Sequence, residues 1–171
     1  MHEGDMTLQP GDRLPEVPLM RLGQDGPETV SLAALISARK VVLFGLPGAF
    51  TGTCSTAHVP SFIRSAPALR EAGVGEIICV SVNDPFVVAA WAEATGAAAA
   101  GLTMLADPSG DFARAMGREF TAPAAGLFNR SQRYALLAED GVVTILNEGD
   151  SPGTCDISGG ESMLEAMGAE A

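Results

Sequence analysis

The chain is poor in positive charge. Its 171 residues hold ten Lys and Arg against 21 Asp and Glu, a formal net charge of −11. Nine of the ten cations are Arg, and they are spread along the chain rather than grouped. A surface that tracks phosphates needs clustered cations, which argues against nucleic acid and against anionic membrane as partners. Cysteine is scarce as well: Cys54, Cys79 and Cys155 are the three present. An odd, low count with no CxxC pair does not make a secreted disulfide framework. With only His2 and His58 to add, a structural zinc site is hard to assemble, so neither metal nor cofactor is expected. No apolar run approaches the roughly 20 residues that cross a bilayer. The acidic start Met1-His2-Glu3-Gly4-Asp5 lacks the basic stretch and apolar run of a signal peptide, and a cytoplasmic protein is the expectation. What is present suits a folded chain: 47% apolar and 18% charged residues are enough for a full core, and the length fits one domain over residues 1–171.

Hydrophobic patterning orders the elements. Pro10-Gly11-Asp12 and Gln24-Asp25-Gly26-Pro27 read as turns. Between them, Val17 to Leu22 reads as a short edge strand, kept from the sheet centre by Pro15 and Pro18. A brief helix is expected over Ser31 to Ser37, with Ser31 as N-cap. Lys40 to Leu46 carries the continuous apolar run Val41-Val42-Leu43-Phe44, as a strand buried on both faces does. Val59, Phe62, Ile63, Ala66 and Leu69 form one helical stripe, in which Pro60 and Pro67 predict a kink or break. Glu76 to Val82 is a second buried strand, and Asp84-Pro85 caps the helix that follows. Leu102 to Leu105 reads as a short strand and Asp111 to Met116 as a short helix. Arg133 to Ala138 and Val142 to Asn147 flank Asp140-Gly141, a strong hairpin signal. Glu161 to Met167 closes the chain as a helix. No internal repeat, low-complexity block or linker is visible. A crossover unit joined to an antiparallel hairpin predicts an α/β fold with a mixed central sheet and helices on both faces.

Chemistry concentrates in Leu46-Pro47-Gly48-Ala49-Phe50-Thr51-Gly52-Thr53-Cys54-Ser55, where a buried strand gives way to a helix. Sites in open α/β sheets form at such strand ends. A thiol near the first turn of a helix meets unpaired N–H groups and the positive dipole end, which stabilise its thiolate. By location alone, Cys54 fits a small buried hydrophobe equally well. The Thr51 hydroxyl lies three residues before the sulfur, within reach of a ligand bound beside it. Pro47 is placed to fix the loop and shield the thiol.

The resulting Pro-x-x-x-Thr-x-x-Cys pattern resembles the active-site signature of the peroxiredoxins. Pro47 to Thr51, Thr53-Cys54-Ser55 and His58-Val59-Pro60 look like the type II, peroxiredoxin-5-like subfamily. Val80-Ser81-Val82-Asn83-Asp84-Pro85-Phe86, Leu105-Ala106-Asp107-Pro108 and Arg133-Tyr134-Ala135, leading to Asp140-Gly141-Val142-Val143, extend the likeness from Gly11 to about Leu164. One departure is Gly52, where the family usually has Pro; Gly loosens the backbone there. The resemblance implies a thioredoxin-like fold and reduction of hydrogen peroxide and organic hydroperoxides by Cys54, with Pro47 and Thr51 beside it. It places the family's Arg at Arg133, with Arg130 as a competitor that fits less well. Cys54 would leave the reaction as a sulfenic acid. Cys155 resembles the C-terminal resolving position of atypical two-cysteine members. Cys79, on a buried strand, is the other candidate, though core packing suits it better. If neither resolves, an external thiol must: glutathione, glutaredoxin or thioredoxin. A homodimer is implied by the resemblance only.

Three other readings compete. A Cys54–His58 hydrolase pair has the i, i+4 spacing of one helix face, but no third group orients the His. A surface or hydrogen-bonding role suits His58 better. A phosphate-binding loop at Gly45, Gly48 and Gly52 lacks the required Lys. A thioredoxin-like redox sensor would oxidise at Cys54 once and stall, whereas a peroxidase would cycle.

Overall fold

A computed structural model describes residues 8–51, 57–148 and 159–170. Its centre is a seven-stranded mixed sheet built from β1 (Leu19–Gly23), β2 (Gly26–Val30), β3 (Lys40–Leu46), β4 (Glu76–Ser81), β5 (Thr103–Ala106), β8 (Tyr134–Glu139) and β9 (Val142–Glu148), in the order β2-β1-β5-β4-β3-β8-β9. A separate two-stranded ribbon pairs β6 (Glu119–Ala122) with β7 (Leu127–Ser131). The helices are α1 (Leu32–Ile36), α2 (Val59–Glu71), α3 (Pro85–Thr95), α4 (Asp111–Ala115) and α5 (Gly160–Glu170).

The alternation of β3 divides the core. Val42, Phe44 and Leu46 pack with Val59, Phe62 and Leu69 of α2, Trp91 of α3 and Met163 of α5. Val41 and Leu43 face the other way, onto Leu32 and Ile36 of α1 and Phe112 of α4. The expected mixed sheet with helices on both faces is therefore present. Local signals act as read: Ser31 Oγ accepts from Ala34 N, and Asp84 Oδ1 accepts from Val87 N at 2.8 Å. Asp140 and Gly141 both have positive φ, at 50° and 81°, the geometry of a type I′ hairpin turn.

Two expectations are corrected. The Val17–Leu22 stretch is not an edge strand. Strand β1 begins at Leu19, past both prolines, so no N–H is missing where it pairs with β2 and with β5. The true edge is β2, which was not anticipated and which carries Pro27 where the missing donor harms no ladder. Nor do the prolines break α2, which runs unbroken through Pro67. Pro60 sits in the first turn, where its N–H would have no intrahelical acceptor. Pro67 lies on the exposed face, where water can serve the carbonyl left without a donor.

Candidate active site

Register brings the candidate residues to one edge of the sheet. Strands β3 and β4 are parallel, with Leu46 opposite Ser81, and β5 places Ala106 opposite Ser81. The segments after these three strands, starting at Pro47, Val82 and Asp107, thus emerge side by side at their C-terminal ends. Strand β8 runs antiparallel to β3 with Tyr134 opposite Gly45, so Arg133 enters from the same edge. In an open α/β sheet this is where a site is expected.

The loop after β3 is held by its neighbours. Pro47 is buried, and its carbonyl accepts from Arg130 Nη1 at 2.9 Å. Ala49 N donates to Asn83 Oδ1 at 2.9 Å, and Ser81 Oγ donates to that same oxygen. Thr51 Oγ1 donates to Gly48 O at 2.6 Å. That bond uses the hydroxyl proton and leaves its lone pairs to accept from a ligand. Phe50 lies in the left-handed region at φ 62° with its ring exposed, a conformation a bulky residue takes only when its surroundings impose it.

At the other end of the segment, His58 stands just before α2 and is fully buried. Its ring packs against Phe44 at 5.1 Å and Phe62 at 5.7 Å between centroids. Its Nδ1 lies 3.2 Å from Nη1 of Arg133, which is only 4% exposed. Arg133 is therefore no exposed hairpin charge, and His58 is not on the helix surface; the hydrogen-bonding alternative for His58 is the one that holds. Arg130, ranked below Arg133 from the sequence, also reaches the loop. Neither Asn83 nor Ser81 was singled out for the site, although Ser81 ends β4 and Asn83 lies just past it, so both share the edge.

Tyr134 lines the floor beneath the loop. Its ring lies over Gly45, where a Cβ would come within 2.3 Å of it. Burial, reinforced by Cys79 and Asp107, pushes its phenol well above the ordinary tyrosine range, so it stays protonated. Asp107 is buried too and accepts from Phe112 N and Ala113 N at 3.1 and 3.0 Å. Burial raises its pKa against those two bonds. Cys79 is 1% exposed in the interior strand β4, opposite Phe44 and Met104, which matches core packing. Cys54, Gly52 and Cys155 lie outside the described residues. Among the described residues no cluster of His, Cys, Asp and Glu could hold a metal ion, and no helix is long and apolar enough to cross a membrane.

Comparison with known proteins gives a consistent pattern. Residues 9–164 match the Redoxin family. The chain is 46% identical to peroxiredoxin-2E-2, chloroplastic, of Oryza sativa subsp. japonica, covering 94% of this chain and 73% of that protein. It is 45% identical to peroxiredoxin-2C of the same organism, covering 92% and 96%. Among solved structures, reduced Prx3 of Vibrio vulnificus in complex with H2O2 superposes with a TM-score of 0.86 at 42% identity, covering 94% of this chain and 99% of that one. Peroxiredoxin 5 of Alvinella pompejana gives 0.82 at 30% identity, covering 95% and 99%.

Proposed function

Since the chain belongs to the peroxiredoxins, the thiol-dependent peroxidases of the redoxin family, we propose that Cys54 is its peroxide-reacting thiol and that Pro47, Thr51 and Arg133 assist it. One observation carries this reading. The segment from Pro47 to His58, which contains Cys54, is gripped at both ends by arginines from a single stretch: Arg130 on the Pro47 carbonyl and Arg133 on His58. Cations beside a thiol lower its pKa and raise the thiolate fraction at neutral pH. In the reaction, the Cys54 sulfur attacks one peroxide oxygen and the O–O bond breaks. The sulfur becomes a sulfenic acid, and the departing oxygen leaves as water or an alcohol after taking up a proton. Arg133 supplies hydrogen bonds and charge where negative charge develops, while the Thr51 hydroxyl, its proton held by Gly48 O, accepts a hydrogen bond from the bound peroxide.

The sulfenic acid then needs a second thiol. Cys155 is the preferred intramolecular candidate. The amide of Gly160, five residues after it, donates to Ser61 Oγ at 3.0 Å, and Ser61 is seven residues after Cys54. An extended chain of five residues spans up to about 17 Å, so both thiols are tethered within reach of one point. Cys79 would have to leave an interior strand to reach Cys54. Glutathione, glutaredoxin or thioredoxin would close the cycle as external reductant. The reading extends to a homodimer, for which Phe50, Phe86 and Phe128, each more than half exposed, offer apolar surface. Cytoplasmic location is part of the same proposal.

The test is peroxide consumption with thiol donors. Cys54→Ser is expected to abolish it, and Thr51→Val and Arg133→Ala to lower kcat/KM by roughly a hundredfold or more, as loss of a preorganised hydrogen-bonding partner does. Full activity in Cys54→Ser would refute the assignment. A single turnover that stalls in the wild type would favour a sensor instead.

A further inference from the structure

The peptide that joins Gly48 to Ala49 is held at both ends. Its oxygen accepts from Thr51 Oγ1 at 2.6 Å and from Thr51 N at 3.4 Å. Its N–H donates to Asn83 Oδ1 at 2.9 Å. Within the turn from Gly48 to Thr51, Phe50 takes φ 62°, the sign that the third place of a type II turn demands. Gly48 stands at φ 155°, and glycine offers the adjoining peptide little resistance to rotation. That glycine has no substitute, because a Cβ there would lie 2.1 Å from Arg130 Nη1. Arg130 itself bonds the Pro47 carbonyl, which belongs to the preceding peptide. The orientation of the Gly48–Ala49 peptide is therefore imposed from across the site, by Asn83.

Asn83 is anchored for this. Its Oδ1 also accepts from Ser81 Oγ, and Ser81 is 1% exposed at the end of β4. Asn83 N donates to Ser81 O at 2.9 Å, and Asp107 N donates to the same oxygen at 2.8 Å. On its other side, Asp84 caps α3 through Val87 N. The amide oxygen thus projects from a point fixed by β4, by the end of β5 and by α3.

The consequence falls on Thr51. With its proton on Gly48 O, the hydroxyl can only accept. If the Gly48–Ala49 peptide turned over, that oxygen would leave Thr51, and the hydroxyl proton would be free to point at the peroxide instead.

We infer that Asn83 is a positioning residue for the peroxidase reaction: through the Gly48–Ala49 peptide it keeps the Thr51 hydroxyl an acceptor for the bound peroxide. This rests on the reading of Thr51 as the group that accepts from the peroxide.

The experiment is a double-mutant cycle of Asn83→Ala with Thr51→Val, with Asn83→Asp as the variant that keeps an acceptor oxygen. Rates with hydrogen peroxide and with iodoacetamide are compared on the high-pH plateau, where Cys54 is ionised in every variant and the added Asp charge no longer alters the thiolate fraction. Melting temperatures are measured alongside. Asn83→Ala is expected to lose roughly tenfold or more with hydrogen peroxide, the scale of a misplaced catalytic group. Its alkylation rate should stay within about twofold of wild type, because alkylation does not use Thr51. Asn83→Asp should stay within about threefold with peroxide. In the Thr51→Val background, Asn83→Ala should cost less than about twofold more, since groups that act as a unit are not additive. A wild-type peroxide rate in Asn83→Ala would overturn the inference, and so would the same fold-loss in both backgrounds or an equal loss of alkylation. If Asn83→Ala fails to fold, the cycle is run with Ser81→Ala, which removes only the hydroxyl that fixes Oδ1. A loss of roughly threefold is expected there, and a wild-type rate or full additivity overturns the inference equally. If Thr51→Val itself reacts at the wild-type rate, the role of Thr51 fails. If it is slow while Asn83→Ala is fast, only the positioning inference fails.

Discussion

Gly45→Ala probes the floor of the site. Gly45 lies in β3 and does not adopt a positive φ, so alanine suits the backbone. The space does not suit it: its Cβ would stand 2.3, 2.6 and 2.8 Å from Cε1, Cζ and Oη of Tyr134. That ring is fully buried and cannot swing into solvent. Overpacking a core by a methylene-sized group costs about 1–3 kcal/mol, and contacts this short point to the upper half of that range. Reduced freedom of the unfolded chain returns about 0.4–1 kcal/mol. The net expectation is a loss of about 1–2.5 kcal/mol. For a chain of this length each kcal/mol lowers Tm by about 2–4 °C. Urea unfolding is the assay, with stability read from the midpoint at an unchanged m-value. The same substitution in a Tyr134→Leu background supplies the control, because the shorter side chain removes the clash. An equal cost in both backgrounds, or no cost in the wild-type background, would refute the reasoning. Because Tyr134 follows Arg133 directly, the displaced ring should also slow peroxide reduction.

Treating the reduced protein with a stoichiometric amount of peroxide and mapping its disulfides by mass spectrometry should yield a Cys54–Cys155 peptide; a persistent sulfenic acid or a glutathione adduct would assign resolution to an external thiol instead. Asp107 should impose a pH slope on stability. Burial raises its pKa in the folded state, so its stabilising contribution is fully present below its unfolded pKa of about 3.9 and is lost as pH rises through the raised folded value. Asp107→Asn should flatten that part of the stability profile, and a profile parallel to the wild type would contradict this.

What the sequence revealed follows from how local each signal is. Strands β3 and β4 were legible because burial on both faces leaves a continuous apolar run that little else produces. Asp140-Gly141 and the Asp84 cap were legible because their geometry is set within four residues. Strand β2, by contrast, is the polar stretch Gly26-Pro27-Glu28-Thr29-Val30, and only its pairing with β1 makes it a strand. The β6–β7 ribbon was missed for the same reason. Its pairing is interrupted between Phe120 and Ala122, and the chain beyond it is tied down by Gln132 N donating to Arg118 O at 2.7 Å. At the site, Pro47, Thr51 and Arg133 were singled out through the resemblance. The partners of these residues were not. His58 and Arg133 are 75 positions apart, Arg130 and Pro47 are 83 apart, and no spacing rule reaches that far.

The acidity of the chain sharpens the meaning of those contacts. With 21 carboxylates for ten Lys and Arg, a cation here has acidic partners in excess. A thiolate gains nothing from a guanidinium whose charge a carboxylate has taken up. The fold meets this by topology. The chain running from β7 into β8 enters at the edge where β3 and β4 end, and there Arg130 donates to the Pro47 carbonyl while Arg133 meets the His58 imidazole nitrogen. Both partners belong to the segment that carries Cys54. On the proposed role of Cys54, each cation would act on the thiol from buried surroundings, which screen charge little. Hydrogen peroxide, itself uncharged, meets no long-range repulsion from the net negative surface. On the proposed assignment of Cys54, an acidic protein would in this way keep a locally cationic thiol site.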